Sequence, residues 1–143
     1  MMFLSPGKNP YYHIEHEPDR SFAAVVFSSN TSAMDAEEFK ALSLGFAQEL
    51  ARLRPRLALV DTREFLFPVS PELQEWSSRT LVPLLIGAGI ERLCMVAAQD
   101  MITSLSIEQA IEEVRMEHQG RLYSLSYLPD RASALRWLFH AKF

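Results

Sequence analysis

Residues 57–71 read LALVDTREFLFPVSP, and this stretch decides how the rest of the chain is parsed. RLALVDT (56–62) is a short buried strand, continuously apolar over residues 57–60 as a strand covered on both faces would be. The run stops at Asp61-Thr62-Arg63. Two aromatics, Phe65 and Phe67, cross a short loop to Ser70-Pro71, a serine suited to a helix N-cap and a proline suited to the first helical position. A buried strand followed by a helix is the first part of a crossover between parallel strands.

Working outward, Phe39, Leu42, Phe46, Leu50 and Leu53 recur at spacings of three and four, one face of a helix. Asp35 and Glu38 form its capping box, and Pro55 blocks its continuation. Before it, YYHIEHE (11–17) alternates as a strand with one wet face. Glu17-Pro18-Asp19-Arg20 turns the chain, and SFAAVVFSS (21–29) is apolar enough to be covered on both faces. Downstream, SPELQEWSSRTLVPLL (70–85) reads as a helix with Leu73, Trp76 and Thr80 facing inward and an end or kink at Pro83. RLCMVAA (92–98) is a buried strand. SLSIEQAIEEVRMEH (104–118) is a helix burying Ile107, Ala110, Ile111 and Val114. RLYSLSYL (121–128) alternates as an edge strand, and Asp130 caps a last helix carrying Leu135, Leu138 and Phe139. The order β-β-α-β-α-β-α-β-α predicts an α/β fold with a mainly parallel five-stranded sheet, its first strand antiparallel.

Composition narrows the function. A chain of 143 residues is expected to form one domain, with residues 1–10 a mobile start. A net charge of −4 and a pI near 5.6 give no nucleic-acid footprint. The single cysteine, Cys94, allows no internal disulfide and reads as a small buried hydrophobe. The apolar stretch opening MMFLSPGKNP is too short for a signal-peptide core. LVPLLIGAGI (81–90) is broken by Pro83, Gly87 and Gly89, so cytoplasmic location without membrane insertion is predicted. Gly87-Ala88-Gly89 follows a helix and precedes a strand, the place of a helix stop.

In open parallel sheets ligands sit outside the carboxyl ends of the strands. That places Ser28 and Asn30, then Asp61, Thr62 and Arg63, then Gln99 and Asp100 on one polar rim. Arg63 has the planar fork to hold a small anionic ligand, and the alternative is an Asp61–Arg63 pair that only closes the strand. Arg20, Arg56, Arg92 and Arg121 each precede a strand, where cations complement helix carboxyl ends. His13 and His16 point to opposite faces of one strand, and His118 and His140 have no ligand-spaced companions, so no metal or cofactor is expected. No catalytic set of side chains can be assembled.

The element order, with Asp61 closing a strand, Phe65 and Phe67 in the loop and Ser70 opening the next helix, resembles the STAS fold of the SpoIIAA-like proteins. That fold is shared in outline with SEC14-type lipid-binding domains. The resemblance spans roughly residues 11–141 and includes stand-alone bacterial members with VDTRE before a Trp-bearing helix. It implies that Ser70 stands at the phosphoacceptor position of the antagonists, with Val69 and Pro71 where those proteins carry Asp and Ser or Gly. It also implies a non-enzymatic regulatory or protein–protein interaction module, acting on a protein partner or associating as a homodimer. The alternative is a small-ligand or lipid carrier, with Phe65, Phe67, Trp76 and Tyr127 lining a pocket that has Asp61 or Arg63 at its mouth.

Overall fold

A computed structural model describes Met2–Phe3 and residues 9–140. Its strands are β1 (Met2–Phe3), β2 (Tyr12–Glu17), β3 (Phe22–Phe27), β4 (Leu57–Asp61), β5 (Arg92–Val96) and β6 (Ser124–Leu128). They lie side by side in chain order. β1–β2 and β2–β3 pair antiparallel, and every later pair is parallel. This is the expected sheet with a two-residue strand added at one margin, where Met2 faces His16 and Phe3 faces Glu15. The rest of the expected mobile start, residues 4–8 with Met1, lies outside the described residues. β6 forms the other margin, as its alternating pattern predicts.

The helices are α1 (Ala36–Leu53), α2 (Pro71–Trp76), α3 (Val82–Gly87), α4 (Met101–Glu117) and α5 (Arg131–His140). The crossovers through α1, α2–α3 and α4 each step to the next strand in the same direction. Crossovers of one hand stepping one way must place their helices on one face of the sheet. The core divides accordingly. Ala23, Val25, Ala58, Val60 and Leu93 pack beneath those helices with Phe39, Phe46, Leu50, Leu85, Ile107 and Ile111. Phe22, Ala24, Leu59, Cys94 and Val96 point the other way and meet α5 through Ala134 and Leu138. The continuous apolar runs of β3 and β4 have this two-sided burial as their cause.

The caps follow local chemistry. Asp35 and Glu38 form the reciprocal capping box of α1, and Arg54 closes that helix with φ 50° immediately before Pro55. Ser70 accepts the Leu73 N–H with Pro71 at the first helical position. Asp130 accepts the Ser133 N–H at the start of α5. Gly89, at φ 87°, ends the α3 segment as a helix stop should.

Three expectations need correction. Thr80 is exposed, whereas Ser78 and Leu81 are buried. The cause is a π-turn at Ser77–Leu81, in which the Val82 N–H reaches back to the Ser77 carbonyl. The wider turn advances the buried stripe by one residue. Pro83 neither ends nor breaks the helix, because the π-turn accommodates it and the chain remains helical to Gly87. Helix α4 also begins earlier than Ser104, since Asp100 is its N-cap and accepts from the Thr103 N–H and hydroxyl.

Candidate functional site

The carboxyl ends of β3, β4 and β5 do converge, but their polar groups bond chiefly within the chain. The Ser28 hydroxyl and the Asn30 amide both donate to the Pro10 carbonyl, tying β3 to the segment before β2. The Gln99 N–H donates to the Arg63 carbonyl. Two N-terminal-turn bonds from Thr103 hold the Asp100 carboxyl below the usual carboxylate range.

Asp61 is the densest point. Its side chain is 2% exposed and accepts from the Arg63 guanidinium at 3.0 and 2.7 Å and from the Arg63 backbone N–H at 3.1 Å. Arg131, at the start of α5, stands 3.9 Å from the same carboxylate and donates to Glu15 at 2.8 Å. Glu15 in turn meets His13 Nε2 at 3.1 Å. A chain of charges thus runs from β2 across the α5 side of the sheet to the end of β4. The fork onto Asp61 also raises the Arg63 pKa. Glu15 and Arg131 were missed because they lie far apart in sequence. Strand parity offered half the signal, since His13 and Glu15 must share a face.

Adjacent residues alternate between faces, so Thr62 turns away from Asp61. It is buried, and its hydroxyl donates to the Val96 carbonyl. On that side lies an apolar cavity of about 140 Å³ between the sheet and α1–α4. Its wall includes Phe27, Phe46, Phe65, Leu81, Ile111 and Tyr123. Of the four aromatics expected to line a pocket, Phe65 alone does so. Phe67 stacks on Phe39 with ring centroids 5.3 Å apart, Trp76 meets Phe39 edge-on, and the Tyr127 hydroxyl bonds to Ala98 N–H and Ser104. Asp61 and Arg63 belong to the opposite sheet face rather than to the mouth of this cavity.

The π-turn above the cavity has a specific support. In its register Val82 donates to Ser77, and Pro83 has no N–H to offer Ser78. His118 Nε2 lies 2.7 Å from the Ser78 carbonyl oxygen and donates to it from the buried end of α4. The Ser78 hydroxyl donates to Glu117 at 2.6 Å, which holds the Glu117 carboxyl below its ordinary range.

The first turns of α4 are apolar and outward-facing. Met101, Ile102 and Leu105 are 83%, 68% and 55% exposed. They sit beside the loop that leaves β4, which is bonded to α4 through Val69 N–H and the Ser106 hydroxyl.

At the other end of the sheet, Arg92 donates to the Trp137 and Leu138 carbonyls at the end of α5, a helix carboxyl end but not that of the helix preceding its strand. Arg20 lies 3.8 Å above the Phe139 ring, and Arg56 pairs with Glu91 at 2.8 Å. Cys94 is fully buried, and desolvation pushes its thiol pKa up to about 11. Among the described residues, no helix is long and apolar enough to cross a membrane. No family model, curated protein or solved structure matches the chain.

Proposed function

We propose that this chain is a non-enzymatic regulatory module of STAS type that works by protein–protein contact, first of all with a second copy of itself. The observation that carries the reading is the apolar start of α4. Met101, Ile102 and Leu105 are held in solvent on a rigid helix, anchored by the Asp100 cap and the Ser106–Val69 bond. Burying each such side chain gains roughly 1.5–3 kcal/mol, which makes a small cluster the expected centre of an interface. The polar rim supports the same reading, because Ser28, Asn30, Asp61, Thr62 and Asp100 already hold the fold together. Ser70 serves as the N-cap of α2.

Sedimentation equilibrium tests the proposal. The wild-type chain should associate reversibly. Ile102→Ser combined with Leu105→Ser should give a folded monomer whose melting temperature no longer depends on protein concentration, since neither side chain belongs to the core. A wild-type chain that stays monomeric at several hundred micromolar defeats the self-association.

A further inference from the structure

We infer that the cavity beneath α1–α4 is a binding site for a compact, uncharged, largely apolar molecule carrying one carbonyl or hydroxyl group. The inference is independent of the α4 interface, which lies on the outside of the same helix layer.

Size and chemistry fix the class. The cavity measures about 140 Å³, close to the roughly 150 Å³ of an engineered apolar cavity that stays dry and takes up benzene. That bounds the occupant at roughly six to ten non-hydrogen atoms. No charged side chain lines the wall. An ion would enter without a partner, which burial makes prohibitive.

The hydroxyls on the wall belong to Ser43, Thr62, Ser77 and Tyr123. Thr62 already donates to Val96, whereas the hydroxyls of Ser43, Ser77 and Tyr123 make no hydrogen bond among the described residues, and that of Tyr123 stands furthest from its backbone. Tyr123 precedes β6 and shares the inward parity of Leu125, which places its ring on the cavity side of the sheet. Desolvation alone raises its phenol well above the ordinary range. A hydroxyl without a partner in the chain, set among mostly apolar side chains, gives an occupant a polar anchor. The wall also contains Ser77 and Leu81 of the π-turn, a local departure from the α-helix that recurs at binding sites.

Methyl NMR with two probes tests this directly. Cyclohexane and cyclohexanone should each shift the methyl signals of Leu81, Leu85 and Ile111 in the wild-type chain. Tyr123→Phe should weaken cyclohexanone about two- to tenfold while leaving cyclohexane unchanged. Ala110→Leu, which projects into the cavity, should abolish both titrations while the spectrum stays dispersed. Three results overturn the inference: no shift with either probe, shifts confined to exposed Ile102 and Leu105, or equal cyclohexanone affinity in wild type and Tyr123→Phe. The tyrosine variant keeps the test valid if Ala110→Leu does not fold.

Discussion

The two faces of the sheet solve the same burial problem in opposite ways. On the α5 side a ten-residue helix lies directly on β4 and β5, with small residues where the backbones approach, Ala24 and Ala134 among them. Charge is admitted there as a linked set, Asp61 with Arg63, Arg131 and Glu15, and as the buried Arg92, which donates to the end of α5. On the other side several helices roof the sheet with large aromatic and aliphatic side chains, yet leave a cavity of about 140 Å³. Close packing of small residues leaves no slack. Bridging with large ones leaves a space whose shape depends on how each helix is held.

The sharpest break of this contrast is a pair of deletions. Phe22→Ala on the α5 side should cost about 3–5 kcal/mol, because its site is fully packed. Leu93→Ala, on the cavity wall, should cost about 2–3 kcal/mol, since its neighbours already lack contacts on one side. Equal losses by chemical denaturation would show the cavity to be no weaker in packing than the α5 face.

His118→Ala comes next. It leaves the Ser78 carbonyl buried without a donor, at a cost of about 1–3 kcal/mol. His118→Gln should recover part of this, and no recovery would mean that the ring is needed for packing.

Enlargement should have opposite signs on the two faces. Ala24→Val should destabilise by about 1–3 kcal/mol through overpacking. Ala110→Leu should stabilise by about 1 kcal/mol as it fills space. The same sign for both would remove the contrast.

The smallest effect near neutral pH concerns Cys94. Its thiol is pushed up to about 11 in the fold, against about 8.5 in an unfolded chain. The unfolded chain therefore releases the proton first. Stability should be unaffected by this group below about pH 8.5 and should fall as pH rises from there toward the folded value. Cys94→Ala should flatten that alkaline decline, which thermal melts across the pH range would record.

Most of this architecture was legible because it rests on local rules. Period and run length identify the strands and helices, and Asp35, Ser70, Pro71 and Asp130 mark helix starts by chemistry that needs no tertiary information. Three features needed the fold. Met101 and Ile102 are apolar yet exposed, so the start of α4 did not register as amphipathic and Asp100 was read as rim rather than cap. The π-turn shifts the helical phase at Ser77, which misassigned Thr80. The Arg131–Glu15 pair joins the last helix to an early strand, a contact no periodicity can announce. The Asp61–Arg63 pairing was accessible as an alternative because the two residues are near neighbours in the chain. Its burial was not.

The strictly sequential strand order also bears on how the chain is made. Because neighbours in the sheet are neighbours in sequence, each strand emerging from the ribosome finds its pairing partner already synthesised, and β2 to β6 can be laid down one after another. The α1–α4 roof assembles in step with them. The α5 face cannot, since its cover is the last helix described. Until residues 131–140 have emerged, Phe22, Leu59, Cys94 and Val96 stand uncovered on a growing sheet. A pause before that point is where a nascent chain of this topology would most need a chaperone.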